Sequence, residues 1–364
     1  MKKIWKVALV GCGSIAESIY IPQMRHFPNV ELVAVCDILP ERAKDYAERF
    51  HVPNWYGSIE ELLEKCDFEI LMDTASIPAH HELNMKALKA GKHLYSQKPI
   101  APTVEQVDEQ IRAAKEAGVV FAASPIHPLR PDILRIRKLI KEGLIGKPTM
   151  IRVHTAHGGP EYFQHREVDP SWFFEPGAGA LYDMGVHGIT MATAVLGPAK
   201  EVSCVAEISE PHRVVRTGAF DGKVLDSNKL PDNYLITLNW GDGCIGIVDA
   251  GFCQKASTVN MLEVYGTLGT LTILGQIKIG EGDGIKAYLD IPEKHVHGWM
   301  DIKTEEKPRG EFDQCECLLD IIAAIESGEE VKLRPEIARH VVDIMCTIPK
   351  AIAEKRTLPL HTTF

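Results

Sequence analysis

Short apolar runs alternate with amphipathic stretches through the first third of the chain. The apolar runs, each of which predicts a strand, lie at residues 7–10, 30–36, 68–72, 93–95 and 119–123. The stretches between them predict helices at residues 16–27, 40–50, 58–63, 78–90 and 104–117. Strands and helices that alternate at this length predict a doubly wound parallel sheet whose crossover connections are right-handed.

The pattern changes near residue 124, and from residue 149 the chain reads mainly as strands. These strands are predicted at residues 149–155, 201–209, 234–240, 244–250, 261–265 and 270–274. Helices are predicted at residues 133–142, 180–196, 312–326 and 335–354, and a long polar loop at 210–232. We therefore predict two domains: residues 1–124 with the parallel sheet, and residues 125–364 as an α+β domain with a large, mostly antiparallel sheet.

Composition narrows the class of protein. The chain has 364 residues, 45% of them hydrophobic and 25% charged, with a net charge of −10 and no basic block, which argues against a nucleic-acid partner. No apolar run is long enough to span a bilayer, and Lys6 interrupts the short apolar stretch at the start, so we expect neither membrane insertion nor export. The nine cysteines are scattered without metal-type or disulfide-like spacing, which favours a cytoplasmic location.

A glycine-rich turn follows the first predicted strand. Residues 11–16 read G-C-G-S-I-A, the G-x-G-x-x-G/A pattern that binds dinucleotides when it joins a strand to a helix. Gly11 permits the sharp turn, and Gly13, without a Cβ, lets the backbone approach a pyrophosphate at the helix N-terminus. Ala16 keeps the helix close to the sheet. The alternative is a glycine turn in an α/β protein of another kind.

An acidic residue ends the second predicted strand. Asp37 lies about 20 residues beyond the glycines, where this fold places the acid that binds the ribose hydroxyls. Its charge would repel a 2′-phosphate, and Ile38 and Leu39 offer no cation, although Arg42 is near. We therefore expect NAD as the cofactor rather than NADP.

Two further motifs complete a resemblance to a known family. They are Gln97-Lys98-Pro99, at the end of a predicted strand, and the segment at residues 177–187, G-A-G-A-L-Y-D-M-G-V-H. With the glycine turn, they resemble the Gfo/Idh/MocA oxidoreductases over nearly the whole chain. That family usually has Glu-Lys-Pro at the second motif and three glycines at the start of the third, so Gln97 and Ala178 are departures. Neither departure removes a catalytic group.

The resemblance implies a fold, an assembly and a set of site residues. It implies an NAD-binding Rossmann domain followed by an α+β domain whose open sheet often forms the oligomer interface, so we expect a homodimer or homotetramer. The residues expected to bind the cofactor are Gly11, Gly13, Ser14, Ile15, Asp37, Thr74, Ala75, His80, Gln97 and Lys98. Those expected to bind substrate are Lys98, His157, Trp172, Asp183 and His187.

Three of these residues are expected to carry the chemistry. Asp183 and His187 are spaced i, i+4 and would share one face of a helix, and we expect Lys98 to converge with them on one substrate hydroxyl. Histidine titrates near neutral pH and suits the role of base, while lysine can stabilise the developing alkoxide. By resemblance, Lys98 and His187 form the catalytic pair and Asp183 positions the sugar or the lysine. The alternative is a surface lysine and a surface helix pair.

These residues predict an NAD-dependent dehydrogenase that acts on a secondary hydroxyl of a small-molecule sugar, cyclitol or glycoside. The alternatives are a redox-neutral NAD-dependent glycosidase, which oxidises its sugar only transiently, a catalytically silent NAD sensor and a zinc hydrolase. Lys98, Asp183 and His187 argue against the sensor. A zinc site would combine the last two with His154, His157 and His165, but His154 and His157 are expected on opposite faces of a strand. We predict no metal.

Overall fold

The computed structural model describes residues 3–162, 169–275, 284–302 and 314–364. The chain divides into two compact units, the first formed by Met1–Ile126 and Asp313–Arg339 and the second by His127–Phe312 and His340–Phe364. A late segment of the chain therefore belongs to the first unit. The predicted division into domains at residues 124 and 125 stays a prediction.

The first unit contains a parallel sheet of six strands. The strands are β1 (Trp5–Val10), β2 (Val30–Cys36), β3 (Asn54–Tyr56), β4 (Ile70–Asp73), β5 (His93–Ser96) and β6 (Phe121–Ala123). Their order is β3-β2-β1-β4-β5-β6, and every neighbouring pair is parallel. This is the strand order of the Rossmann fold, and the central strand β1 is an almost continuous apolar run because both faces of such a sheet are covered. The predicted parallel fold is confirmed.

Five helices connect these strands. They are α1 (Ile21–Met24), α2 (Pro40–Phe50), α3 (Ile59–Lys65), α4 (Ile77–Lys89) and α5 (Val104–Ala117). A π-helical turn, Ala16–Tyr20, precedes α1. Residues 58–61, S-I-E-E, have the sequence of a capping box, and the side chain of Ser58 caps α3 by accepting a hydrogen bond from the backbone N–H of Glu61, 3.2 Å away.

The second unit is organised around a sheet of nine strands. Its helices are α6 (Pro131–Lys141) and α7 (Val186–Leu196). Its strands are β7 (Pro148–Ala156), β8 (Glu201–Glu207), β9 (His212–Val214), β10 (Val224–Asp226), β11 (Asn233–Gly241), β12 (Cys244–Gly251), β13 (Leu262–Gly266), β14 (Gly269–Ile273), β15 (Ile285–Ile291), β16 (Val296–Ile302) and β17 (Leu358–Pro359). The order in the large sheet is β16-β15-β14-β13-β7-β12-β11-β8-β17. Among the described strands of this sheet, only β7 and β12 pair in parallel, so the predicted, mostly antiparallel sheet is confirmed.

The predicted long loop at residues 210–232 is wrong, because β9 and β10 pair there as a separate two-stranded sheet. The two strands are three residues each, too short to show an alternating apolar pattern. The small sheet buries one side chain from each strand, Arg213 from β9 and Leu225 from β10, and Arg213 pairs with Glu161 and Asp232. One buried apolar residue and one buried charge do not make an alternating apolar pattern, and these strands were therefore missed.

Helix α7 packs directly on strands β7 and β12. Its first turn is π-helical, Leu181–Gly185, and α7 continues from Val186. A Cβ added to Gly188 would lie 2.4 Å from Val248 Cγ1 and 2.8 Å from Thr155 Oγ1. The missing side chain at this position lets the helix approach the sheet closely.

Two late helices, α8 (Glu316–Ser327) and α9 (Pro335–Glu354), precede the short strand β17. In the first unit, α8 packs on β5 and β6, and the N–H of Ala123 donates to the carbonyl of Leu333, 3.0 Å away. Within the described ranges, no helix is long and apolar enough to cross a membrane.

Replacement of Gly188 by alanine should lower the melting temperature. Alanine favours a helix over glycine by about 1 kcal/mol, but overpacking typically costs about 1–3 kcal/mol. Thermal unfolding followed by circular dichroism measures the balance. The matched control is Val248→Ala, alone and combined with Gly188→Ala. It removes the nearest clashing atom, so the double variant should lose less stability than the sum of the two single losses. A Gly188→Ala variant as stable as the unchanged protein would contradict the close approach.

Candidate active site

The glycine turn in the first unit is packed against the end of β4. Gly11 has a φ of +94°, and a Cβ there would lie 2.4 Å from the backbone nitrogen of Ala75. The hydroxyl of Thr74 donates to the carbonyl of Gly11, 2.8 Å away. Gly11 is therefore required twice, for its backbone conformation and for the close approach of two chain segments.

Gly13 has a different role from Gly11. Apart from its neighbours along the chain, no atom of a described residue lies within 4 Å of the position that a Cβ would take at Gly13. Ser14 and Ile15 follow at the start of the helical segment, where backbone N–H groups favour an anion. This open space beside a helix start fits the approach of a dinucleotide pyrophosphate.

Asp37 lies at the end of β2 and is held by the backbone. Its Oδ2 accepts a hydrogen bond from the N–H of Cys12 and its Oδ1 accepts one from the N–H of Leu39, both at 2.9 Å. The nearest atom of Arg42, Nη1, is 3.6 Å from Oδ2. Each carboxylate oxygen keeps further lone pairs, so the residue fits the role of ribose acceptor.

Cys12 lies inside the glycine turn, but its surroundings argue against a reactive thiol. Burial raises the pKa of Cys12 to about 12, with a further contribution from Asp37. A thiol with so high a pKa stays protonated at neutral pH.

A buried pair holds the loop after β4. Asp73 Oδ2 lies 2.7 Å from His80 Nδ1, and Asp73 Oδ1 accepts a hydrogen bond from the N–H of Ala75 at 2.9 Å. His80 is only 1% exposed. The structure thus gives His80 a protein partner, and its contact with a cofactor stays a prediction. Asp73 was missed, although an acid directly after an apolar run is the same signal that identified Asp37.

Gln97 fixes the backbone that carries Lys98. Its Oε1 accepts a hydrogen bond from the N–H of Lys98 at 3.2 Å, and its amide nitrogen donates to the hydroxyl of Tyr20. That hydroxyl lies 3.0 Å from the hydroxyl of Tyr95 and donates to Gln314 Oε1 at 3.3 Å. Burial raises the pKa of Tyr20 well above its usual value, so these groups form a neutral network. The amide that replaces the family's usual glutamate is suited to this site, because a buried carboxylate would carry a desolvation cost.

In the second unit, Asp183 faces a histidine. His157 Nε2 lies 3.7 Å from Asp183 Oδ2. His157 Nδ1 accepts a hydrogen bond from the N–H of Gly159 at 3.0 Å, so a neutral His157 carries its proton on Nε2, toward Asp183. The ring stacks on Phe252 with centroids 5.0 Å apart.

His187 faces a second histidine, which the sequence did not single out. His187 Nδ1 lies 2.9 Å from Nε2 of His127, and the two rings meet edge to face. Burial lowers the pKa of His127 well below its usual value, and His187 and Arg130 lower it further. Asp183 lies in the π-helical turn and His187 lies in α7. Each of them faces a histidine, His157 for Asp183 and His127 for His187. No local pattern in the sequence links residues 127 and 187.

Comparison of the chain with family models and with known relatives identifies its protein family. Residues 5–124 match the model described as "Oxidoreductase family, NAD-binding Rossmann fold", and residues 133–272 match "GFO/IDH/MocA C-terminal domain". The chain is 31% identical over 267 residues to 1,5-anhydro-D-fructose reductase from Ensifer adhaerens, a match that covers 72% of this chain and 74% of the relative. The chain belongs to the Gfo/Idh/MocA oxidoreductase family.

Longer but weaker similarities extend over the whole chain. It is 22% identical over 365 residues to myo-inositol 2-dehydrogenase from Thermotoga maritima, which covers 98% of each chain. The solved structure of levoglucosan dehydrogenase in complex with NADH and L-sorbose superposes with a TM-score of 0.82 and 21% identity, over 99% of this chain and all of that one. At that identity, the structural match supports the fold.

The third Gfo/Idh/MocA motif tolerates Ala178 in place of the second of its three usual glycines. Gly177 and Gly179 have φ angles of +89° and +90°, whereas Ala178 is not among the residues with positive φ. The two glycines that the backbone requires are therefore kept, and the replaced glycine is the one that an alanine can occupy.

The other predicted substrate residue, Trp172, is 46% exposed and stacks on Phe173 with centroids 3.8 Å apart. It thus presents an aromatic face outside the core of this Gfo/Idh/MocA chain. A contact between that face and a sugar ring stays a prediction.

The residues considered for zinc are engaged otherwise. His154 Nδ1 lies 2.9 Å from Asp249 Oδ1 on the neighbouring strand β12, and His157 follows the end of β7 rather than lying within it. His165 lies outside the described residues. Within the described part of the chain, no group of three or more histidine, cysteine, aspartate or glutamate side chains could hold a metal ion.

A buried ion cluster, also missed from the sequence, supports His157. Arg213 Nη1 donates to Glu161 Oε1 at 2.6 Å and to the carbonyl of Phe252 at 3.1 Å. Its Nη2 donates to Asp232 Oδ2 at 2.7 Å. Because His157 stacks on Phe252, the cluster fixes the surface that carries the ring. Burial alone would raise the pKa of Asp232, but hydrogen bonds from Arg213 and two backbone N–H groups outweigh it, so that the pKa is lowered.

Proposed function

We propose that this protein is an NAD-dependent dehydrogenase that acts on a secondary hydroxyl of a sugar, cyclitol or glycoside. The observation that carries the proposal is the hydrogen bond between His187 Nδ1 and the buried His127, 2.9 Å long, because it supports an oriented histidine at the family's catalytic motif. The names of the relatives support the substrate class: a myo-inositol dehydrogenase, an anhydrofructose reductase and a levoglucosan dehydrogenase.

The first unit supplies the cofactor site in this proposal. The glycine turn and its neighbours Ser14, Ile15, Thr74 and Ala75 would hold the pyrophosphate end, and Asp37 the adenosine ribose. His80 and Gln97 would support the nicotinamide end, beside Lys98. Bound NAD supplies the hydride acceptor for alcohol oxidation.

The protein's own groups then handle the proton and the charge on oxygen. His187 takes the proton of the substrate hydroxyl, and the ammonium of Lys98 stabilises the alkoxide that develops. Asp183, held by His157, accepts a hydrogen bond from a neighbouring substrate hydroxyl, and Trp172 offers an aromatic face to the ring. In the direction of reduction, the protonated His187 returns the proton to the carbonyl oxygen.

The proposal is tested by following NADH at 340 nm with purified protein, NAD and a substrate panel. The panel contains myo-inositol, levoglucosan, L-sorbose and methyl glucosides, and 1,5-anhydro-D-fructose is assayed with NADH. Net NADH formation with an oxidised product supports the dehydrogenase. Cleavage of a glycosidic bond without net NADH would instead identify a redox-neutral glycosidase, and turnover of none of these classes would contradict the proposal.

Asp37 should decide the choice of cofactor. Asp37→Ala should weaken NAD binding and reduce the preference for NAD over NADP, since the carboxylate that repels a 2′-phosphate is removed. Isothermal titration with each cofactor measures both affinities. The matched control is Asp45→Ala, which removes an exposed aspartate that pairs with Arg49. Tighter binding of NADP than NAD by the unchanged protein would show that Asp37 has been misassigned.

His187 and Lys98 should each be needed for turnover. His187→Ala should lower kcat by roughly two to four orders of magnitude, the usual contribution of general acid–base catalysis, with little change in NAD affinity. Lys98→Ala should lower kcat/KM comparably, and Lys98→Met, which keeps length without charge, should do no better.

The pH profile identifies the base. A base must lose its proton to act, so kcat/KM should rise with pH on a limb that disappears in His187→Ala. Full activity of that variant with the limb intact would move the base to another group.

We also propose that the protein is a cytoplasmic homodimer or homotetramer. Val205 on β8 and Leu235 on β11 are paired across the sheet and are 66% and 48% exposed, and Ile245 on β12 is 48% exposed. Exposed apolar side chains on one face of a sheet suit contact with a second copy of the chain. The nine cysteines carry free thiols, as a reducing compartment would maintain.

Light scattering during size-exclusion chromatography tests the assembly. The protein should elute as a dimer or tetramer at micromolar concentration, and Leu235→Glu should shift it toward monomer because a charge would be buried in the interface. Val224→Glu, at a position that is 70% exposed on the separate two-stranded sheet, should leave the assembly unchanged and so tests whether any added charge has this effect. A monomeric unchanged protein would contradict the proposed assembly.

A further inference from the structure

His187 is held by a residue that the proposed reaction does not otherwise use. We propose that His127 is a positioning residue, which fixes the ring of His187 and directs its Nε2, rather than its Nδ1, to the substrate proton. This inference rests on the proposed function, in which His187 is the base.

The geometry supports this role. His127 lies in the short 3-10 turn His127–Leu129, and its Nε2 is 2.9 Å from His187 Nδ1. The ring centroids are 5.1 Å apart at an interplanar angle of 77°, so the nitrogen of one ring points at the edge of the other. His127 is 5% exposed, and its Nδ1 is buried with no hydrogen-bond partner among the described residues. Its polar contact is therefore directed at His187.

Helix α7 limits how far His187 can move. Gly188 follows directly and has no room for a Cβ beneath it, because Thr155 and Val248 lie against the helix there. Because His127 engages the Nδ1 of this ring, the proposed proton transfer is assigned to Nε2.

Proton counting fixes the roles of the two histidines. A hydrogen bond between two imidazole nitrogens contains one proton. His187 can accept a substrate proton on Nε2 only if its own proton is on Nδ1, and after it has done so both of its nitrogens carry protons. In both forms His187 is the donor, and His127 Nε2 must accept. His127 then holds its single proton on Nδ1 and stays neutral throughout the reaction.

The charged surroundings keep His127 neutral. Burial, His187 and Arg130 all disfavour its protonated form. Arg130 is itself paired with Asp132: its Nε donates to Oδ1 at 3.0 Å and its Nη2 donates to Oδ2 at 2.5 Å. On the preceding turn, Asp183 faces His157. The strands beneath α7 present Thr155 and Val248, which do not ionise.

A neutral acceptor has a chemical consequence. A carboxylate in the place of His127 would orient the ring but would also stabilise the imidazolium strongly. A neutral imidazole orients the ring with less stabilisation of its charged form. The arrangement therefore suits a reversible reaction, in which His187 must both take and return a proton.

The test compares two replacements of His127. Gln can accept a hydrogen bond near the position of the lost Nε2, whereas Phe keeps the ring shape without an acceptor. His127→Phe should lower kcat by about tenfold to a hundredfold, as expected for the loss of a hydrogen bond to a charged group, with little change in KM. Its kcat/KM limb should move to lower pH, because protonated His187 loses its acceptor. His127→Gln should retain most of the activity and the position of the limb.

A buried histidine elsewhere in the second unit is the matched control. His340 accepts a hydrogen bond from the N–H of Ala199 at 3.0 Å and lies 2.8 Å from Thr362 Oγ1. His340→Gln should lower the melting temperature without moving the limb. The positioning role is wrong if His127→Phe, like this control, lowers the melting temperature but changes neither kcat nor the position of the limb. If His187→Ala is inactive in the same experiments, the proposed function stands.

A spectroscopic measurement separates the two proposals. Nitrogen-15 NMR of histidine-labelled protein without substrate reports which ring nitrogens are protonated. Across the pH range in which His187 gains its second proton, His127 should remain neutral with its own proton on Nδ1. If His127 titrates in that range, the inference is wrong, whatever the activity of His187→Ala. If His187→Ala keeps full activity, the proposed function fails independently.

Discussion

The first unit depends on the contact between the glycine turn and the loop after β4. The backbone of Gly11 lies so close to Ala75 that a Cβ would approach its nitrogen to 2.4 Å. This contact is held from both sides, by the hydroxyl of Thr74 on the carbonyl of Gly11 and by Asp73 on the N–H of Ala75. Because β1 and β4 are neighbours in the sheet, the turn that would receive a pyrophosphate is fixed by the sheet itself and not by a mobile loop.

Neutral, buried partners recur beside the groups proposed to react. Gln97 holds the backbone of Lys98 through an amide, and His127 faces His187 through a second imidazole. The charged cluster of Arg213 between Glu161 and Asp232 contacts the carbonyl of Phe252, on which His157 stacks. The backbone of Lys98 and the ring of His187, by contrast, each contact an uncharged group.

What could be predicted from the sequence was local. The glycine turn and Asp37 were identified because strand, turn and acid are close along the chain, and the parallel sheet followed from the same alternation. Strands β15 and β16 were missed, although Ile285, Ala287 and Leu289 alternate as buried positions of a strand should. That signal was present and unused.

The remaining residues could not be predicted, because their partners are distant in sequence. His127 and His187 are 60 positions apart, and Arg213 and Glu161 are 52 apart, with no periodic pattern to connect either pair. His80 shows the opposite case, since a motif suggested a cofactor contact and the folded chain also gives it a buried partner in Asp73. Only the folded chain shows which polar residues are engaged by each other.

In the proposed reaction, Lys98 and His187 act on the same substrate hydroxyl. A double-mutant cycle tests this joint action: kcat/KM is measured for Lys98→Ala, His187→Ala and the combined variant with the best substrate of the panel. Groups that act as a unit are strongly non-additive, so the combined variant should lose far less activity than the product of the two single losses. Losses that multiply would show that the two residues act independently and would overturn the proposed pairing.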